Sequence, residues 1–127
     1  MVNLQADRLC AAILLCKDFE AFLFLQSLRN VSRIPDLSAL TNLRRIHLEN
    51  MKGLNDVGAV RHAPALEEFV HVSANNMRPE QYTDLLNMPR LREILIGFGS
   101  QRKNQEFENL TAKSGKTKFR NTQFVFQ

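Results

Sequence analysis

The amino-acid sequence predicts an α/β fold in which the strands of one short parallel sheet alternate with tight helical turns. The prediction rests on a repeated pattern of apolar residues, separated by a step of three and then a step of two, as at Leu43, Ile46 and Leu48. The two-residue step is that of a strand with one buried face, and three-residue steps fit a helical turn. The pattern starts at four positions that are 24, 23 and 25 residues apart: Phe19, Leu43, Leu66 and Leu91.

Length and composition fit a single domain that spans residues 1–127. Of the 127 residues, 44% are hydrophobic and 24% are charged, which is ordinary for a globular protein. The densest apolar run, Cys10 to Cys16, is too short to cross a bilayer, and Lys17 follows where a signal-peptide cleavage site needs small residues. We therefore expect a cytoplasmic protein with no membrane segment, whose two cysteines are small buried apolar residues.

The first expected element is a half-repeat or a capping helix at residues 3–16. Its apolar positions, from Leu4 to Cys16, lie 24 residues before those of the next turn, from Leu28 to Leu40. Segments with a two-residue period then predict strands near five ranges: 19–25, 43–49, 66–72, 91–97 and 119–126.

The segments between the strands predict turns of two kinds. After the first two full strands, every third residue is apolar, as expected for a 3-10 turn with one inward face. These inward positions are Leu28, Val31, Ile34, Leu37 and Leu40, then Leu54, Val57, Val60 and Ala63. The later segments predict helices, one beginning at Pro79 and one over 104–113 that stops at Gly115.

The segment I-P-D-L-S-A-L-T-N-L-R-R-I-H-L-E-N, residues 34–50, resembles bacterial leucine-rich repeat proteins of the internalin-like, short-turn kind. The resemblance covers roughly residues 4–124. It implies a curved solenoid with the parallel sheet on its concave side, helical turns on its convex side, and a role in binding proteins. The asparagine that follows the strand in this family is matched approximately by Asn50 and replaced by Ser27 and Ser73. No internalin-type secretion signal is visible, so the family's extracellular role is not carried over.

The repeat register places the residues between the inward strand positions on the concave face. These candidates for partner binding are Leu23, Leu25, Arg45, His47, Glu49, Glu68, Val70, Val72, Glu93 and Leu95. Their apolar members form a stripe bordered by charge, which is typical of a protein-binding surface. In an alternative register, shifted by one residue in the third repeat, Val70 and Val72 are buried and His71 turns outward.

The loop after the fourth predicted strand is a candidate anion-binding site. It combines glycine, hydroxyl and basic residues just before a helix, where an anion could bind: Gly97, Gly99, Ser100, Arg102 and Lys103. The alternative is a turn in which Ser100 or Asn104 caps the helix. The Gly-Lys-Thr sequence at 115–117 is not a phosphate-binding loop, because Leu110 stands where that motif needs glycine.

The pattern predicts neither a catalytic nor a metal-binding constellation. In the repeat register His47 faces out of the sheet, His71 faces the core and His62 lies on the turn side, so the three cannot converge on one ion. No serine, cysteine or threonine has a base predicted within hydrogen-bond reach. We therefore expect a non-enzymatic protein without cofactor or metal.

The leading hypothesis for function is a protein-interaction module that binds its partner through the concave face. A second hypothesis assigns nucleic-acid or other anionic-surface binding to residues 90–127, which hold eight Lys/Arg and three Asp/Glu. We also expect a homodimer through the N-terminal repeat. Its apolar strand FEAFLFL, Phe19 to Leu25, would otherwise lie along an exposed edge.

Overall fold

The computed structural model describes residues 22–114 and 117–118, which form a parallel β-sheet with helical turns. The strands are β1 (Phe22–Gln26), β2 (Arg45–Glu49), β3 (Glu68–Val72), β4 (Glu93–Ile96) and the two-residue β5 (Thr117–Lys118). They lie side by side in chain order, and each neighbouring pair is parallel. The predicted α/β class with a parallel sheet is therefore confirmed.

The register of the sheet repeats from strand to strand. Phe22 pairs with Arg45, Arg45 with Glu68, Glu68 with Glu93, and Glu93 with Thr117, so the steps are 23, 23, 25 and 24 residues. β2, β3 and β4 lie inside the ranges expected for them, whereas the expected elements at 3–16 and 119–126 lie outside the described residues.

Helical turns follow β2, β3 and β4 on the other side of the core, whereas the segment between β1 and β2 contains turns but not the predicted 3-10 helix. The helical turns are two 3-10 helices, η1 (Gly58–His62) and η2 (Pro79–Tyr82), the short helix α1 (Thr83–Leu86) and the longer helix α2 (Gln101–Ser114). η2 begins at Pro79 as predicted, and the Gln81 side chain accepts a hydrogen bond of 2.7 Å from the Arg78 amide just before it. α2 begins three residues earlier than the predicted helix.

The core lies between the sheet and these turns. β2 contributes Ile46 and Leu48, and β4 contributes Ile94 and Ile96. All nine apolar residues of the three-residue steps after β1 and β2 are buried, as the spacing predicts. Each buried aliphatic side chain of this kind contributes about 1.5–3 kcal/mol to folding, so the turns are held mainly by this inward face.

β1 has a different register from the predicted one. Leu23 pairs with Ile46 and Leu25 with Leu48, so these two leucines face the core, and Leu25 is only 9% exposed. Phe24, expected inside, lies on the opposite face. The cause is the turn that follows: Leu28 is buried three residues after Leu25, as Met51 is buried three residues after Leu48.

The third repeat follows the strict register, and the shifted alternative is wrong. His71 pairs with Leu48 on the core side and is fully buried. Val70 pairs with His47 on the opposite side. Val70 is also buried, but it does not belong to the core cluster.

Each of the first three strands is followed directly by a residue with left-handed backbone. The φ angles are 58° at Ser27, 53° at Asn50 and 61° at Ser73, and the three positions are 23 residues apart. The Asn50 side-chain amide donates a hydrogen bond of 3.1 Å to the Ser27 hydroxyl. Asparagine tolerates this conformation better than most residues, so the polar residues after the strands have a structural reason.

Candidate functional site

The sheet has a second face, opposite the core, which we call the outer face. In register it carries Phe22, Phe24 and Gln26 from β1, Arg45, His47 and Glu49 from β2, Glu68, Val70 and Val72 from β3, and Glu93 and Leu95 from β4. Eight of the ten residues predicted to bind a partner lie here. Leu23 and Leu25 do not, because they face the core, and their places are taken by Phe22 and Phe24.

Four residues in register form a row across the middle of the outer face, which we call the central row: Phe24, His47, Val70 and Leu95. With neighbouring strands about 4.8 Å apart, the row is roughly 14 Å long. The rings of Phe24 and His47 have centroids 4.8 Å apart, and Phe22 stacks on Phe24 at 6.2 Å.

Phe24 differs from the rest of the central row in its exposure. It is 44% exposed, and within residues 22–114 it is the one large hydrophobic side chain in the exposed class. Val70 is only 2% exposed, because it stands on a central strand between His47 and Leu95. The row therefore presents one prominent aromatic side chain beside a closely packed apolar floor.

His47 keeps the central row uncharged at neutral pH. Burial lowers the pKa of the His47 imidazole below its ordinary value, and this effect exceeds the opposing attraction of Glu49. The Glu49 carboxylate oxygen is 3.9 Å from Nε2 of His47. A neutral imidazole is compatible with an apolar contact.

On the amino-terminal side of the central row lies an ion-paired row. Oε2 of Glu68 is 2.6 Å from Nε of Arg45, and its Oε1 accepts a hydrogen bond of 3.0 Å from Nη2 of Arg92. The Glu68 side chain is 6% exposed, and burial raises the pKa of its carboxyl group, opposed by Arg45 and reinforced by Glu93.

The same network occupies the residues just before the strands. Nε of Arg44 forms an ion pair with Glu67, and Arg92 also lies within ion-pair distance of Glu67 and Glu93. Both oxygens of Glu68 contact guanidinium groups, so this carboxylate has a structural role and is not accessible as a general acid or base.

On the carboxyl-terminal side the character of the surface changes. Gln26, Glu49 and Val72 end the strands, and the Gln26 side chain donates a hydrogen bond of 3.3 Å to Glu49. Two exposed cations follow in the next turns, Arg29 after β1 and Lys52 after β2. Sequence reasoning did not single them out, although their 23-residue separation matches the repeat.

The loop proposed for anion binding is arranged as a helix cap. The Ser100 hydroxyl accepts a hydrogen bond of 3.4 Å from the Lys103 amide, and the Asn104 side chain accepts one of 2.9 Å from the Phe98 amide. Nζ of Lys103 donates to the carbonyls of Asn75 and Met77, at 3.3 and 3.0 Å.

The other residues of that loop do not complete a cationic site. Arg102 lies 3.6 Å from Glu106 on the same helix. Gly99 has a φ of 73°, which favours glycine in the turn. The capping alternative therefore accounts for the observed hydrogen bonds, and anion binding at Gly97–Lys103 stays a prediction.

A wide groove of about 1430 Å³ lies on the turn side, across the coils that follow β1, β2 and β3. Two of its acidic side chains have partners within the protein. Arg61 pairs with Asp84 at 2.9 Å, and the Asp56 carboxylate accepts a hydrogen bond of 2.8 Å from the Gly58 amide. No group of three or more His, Cys, Asp or Glu side chains could hold a metal in the described ranges.

Comparisons with protein-family models, curated proteins and solved structures found no match to the chain. Among residues 22–114 and 117–118, no helix has the length and apolar character needed to span a membrane. The functional argument therefore rests on the geometry of the outer face.

Proposed function

We propose that the chain is a leucine-rich repeat solenoid whose outer face is the concave side. Three observations support the proposal. Paired strand residues recur every 23 to 25 residues, the apolar residues at three-residue steps in the turns are buried, and a left-handed residue follows each of three successive strands. Each coil thus buries its apolar side against the next coil, as solenoid repeats do.

We further propose that the protein is a non-enzymatic module that binds a protein partner through this face. The observation that carries the proposal is Phe24, 44% exposed at the end of an apolar row. Aromatic side chains dominate the binding energy of protein interfaces, where they insert into apolar pockets bordered by polar groups. The ion-paired row beside the central row provides such a border.

The central row is also preorganised for binding. His47 and Val70 are held by neighbouring strands, and the Phe24 ring stacks on Phe22 and contacts the His47 ring at a tilt of 52°. Side chains that are already ordered lose less conformational entropy on association, so more of the contact energy is expressed as affinity.

The experiment is a selection of phage-displayed random peptides on the immobilised protein. We expect peptides to be enriched on the wild-type chain and on Gln105→Asp, which adds the same charge on exposed α2. Phe24→Asp should select none while keeping the circular dichroism spectrum of the wild type. If Phe24→Asp selects the same peptides as the wild type, the outer face is not the binding site.

The alternative of anionic-surface binding through residues 90–127 rests on composition. Within the described part of that segment, Arg92 is paired with Glu67 and Glu68, Arg102 lies beside Glu106, and Lys103 binds backbone carbonyls. The cytoplasmic location and the homodimer through the N-terminal repeat also stay predictions.

A further inference from the structure

We infer that the binding site continues from the central row to the carboxyl-terminal end of the sheet, where Arg29 and Lys52 select an acidic segment of the partner. The ligand is then an extended peptide segment with apolar side chains at one end and Asp or Glu side chains at the other. This inference rests on the proposed function, since it assumes that the outer face binds a protein.

Arg29 and Lys52 occupy equivalent places in two stacked coils. Ser27 and Asn50, two residues before each of them, are joined by a side-chain hydrogen bond. Gly53 lies against the Arg29 carbonyl so closely that an added Cβ atom would collide with it. The backbones of the two residues therefore lie in adjacent coils, about one strand spacing of 4.8 Å apart along the sheet.

The equivalent position in the next coil is Asn75, whose backbone carbonyl accepts a hydrogen bond from a lysine of α2. Lys103 reaches from α2 to the carbonyls of Asn75 and Met77, and Asn75 is the residue 23 positions after Lys52. The Asn76 side-chain amide bonds the Lys52 carbonyl, which fixes the third coil against the second.

The charge at the carboxyl-terminal edge of the sheet is not neutralised within the described residues. Neither Arg29 nor Lys52 lies within ion-pair distance of a described carboxylate, although both are exposed. Of the carboxylates on the outer face, Glu49 is the nearest along the chain to Lys52, and it is engaged by Gln26. The amino-terminal edge is the opposite case, since Arg44, Arg45 and Arg92 all have carboxylate partners.

This asymmetry gives the bound segment a direction. Cations that lack a carboxylate partner among the described residues attract negative charge to one end of an apolar surface, and such complementarity fixes the orientation of a partner and raises its association rate. Three residues along a strand separate Phe24 from Ser27, a distance of about 10 Å. An extended partner that places an apolar side chain on Phe24 therefore brings residues about three positions further along to Ser27, two residues before Arg29.

A single-stranded nucleic acid could also use an exposed aromatic ring beside cations. The outer face favours a peptide because the central row continues from Phe24 into aliphatic Val70 and Leu95.

The test extends the peptide selection to two double variants. Arg29→Ser with Lys52→Ser removes the proposed acid-selecting cations, and Arg33→Ser with Arg90→Ser removes the same charge from exposed positions away from this edge. Peptides enriched on the wild type and on the control double variant should combine apolar residues with Asp or Glu. Those enriched on the Arg29 and Lys52 double variant should keep the apolar residues and lose the acidic preference.

Affinity measurements on one selected acidic peptide complete the experiment. We expect the Arg29 and Lys52 double variant to weaken its binding roughly three- to tenfold, the effect of two exposed ion pairs, and the control double variant to leave it unchanged. Apolar peptides without acidic enrichment on the wild type would overturn this inference and leave the proposed function standing. If oligothymidylate binds more tightly than any selected peptide, and the Arg29 and Lys52 double variant loses that binding, a peptide is not the ligand of this surface. Failure to enrich any peptide would instead count against the proposed function itself.

Discussion

A hydrogen bond of 2.8 Å joins Nδ1 of His71 to the hydroxyl oxygen of Tyr82 inside the core, between β3 and η2. The other ring nitrogen of His71, Nε2, has no hydrogen-bond partner in the described residues. A polar pair at the centre of an apolar core makes the stability of the fold depend on the protonation of one imidazole.

We predict that the free energy of unfolding falls by about 2 kcal/mol between pH 7.5 and pH 5 because of His71. Burial, reinforced by His47, lowers the pKa of His71 to about 4 from an ordinary value of 6.5. Below pH 6.5 the unfolded chain therefore binds a proton at His71 that the folded chain does not bind, so the free energy of unfolding decreases as the pH falls. Urea unfolding of the wild type and of His71→Gln at the two pH values measures the effect. If the free energy of unfolding of His71→Gln falls as much as that of the wild type, the prediction is contradicted.

Removing only the hydroxyl of the partner tests the hydrogen bond itself. Tyr82→Phe should lower the free energy of unfolding by about 1–2 kcal/mol, because Nδ1 of His71 is left buried without a partner. The ring itself should stay in place, since it packs edge-on against Phe98 and Phe107 at 5.6 and 5.8 Å. A double-mutant cycle with His71→Gln checks the origin: additive losses would show that the pair does not interact.

The stability of the fold should depend on the shape of the side chain at Ser73, the left-handed residue that follows β3. Ser73→Gly is expected to stabilise the fold by roughly 0.5 kcal/mol and Ser73→Val to destabilise it by about 1–2 kcal/mol, because a β-branched side chain clashes at a φ of 61°. Ser32→Val, at an exposed residue without positive φ, is the control. Thermal unfolding of the three variants decides the point, and similar losses for both valine substitutions would argue against backbone strain.

Two neighbouring arginines of the ion-paired region should differ in importance. Arg45→Met leaves the buried Glu68 carboxylate with Arg92 as its remaining guanidinium contact, and we expect a loss of about 2 kcal/mol, part of which Glu68→Gln should restore. Arg44→Met removes the exposed pair with Glu67 and should have a much smaller effect. Chemical denaturation compares them, and equal losses would mean that burial does not set the strength of these pairs.

The inward positions of the turns were the most predictable part of the fold, because a three-residue apolar step has one inward face whether or not a 3-10 helix forms. The register of β1 was not predictable from that strand alone. Phe22, Leu23, Phe24 and Leu25 are all apolar, so alternation carries no information, and the answer lies in Leu28 of the following turn.

The composition of the outer face was predicted better than its exposure. Register places Glu68 and Val70 there, but their burial depends on the long side chains of Arg45 and Arg92 and on the neighbours His47 and Leu95. The contact of Lys103 with residues 75 and 77 could not be predicted from the sequence either, because it joins a helix to a loop 26–28 residues earlier. Pairwise side-chain packing of this kind is not encoded in a periodic pattern.

The constant register also bears on how such a surface could change during evolution. Because Arg45 pairs with Glu68 and Phe22 with Arg45, successive strands place their side chains in the same rows of the sheet. Duplication of one 23-residue unit would lengthen the sheet by a single strand spacing, about 4.8 Å, and would add one position to each row without disturbing the others. Loss of a unit would shorten it in the same way. The length of the surface and the identity of its side chains are therefore independently variable, and the outer side chains can change without a change of core.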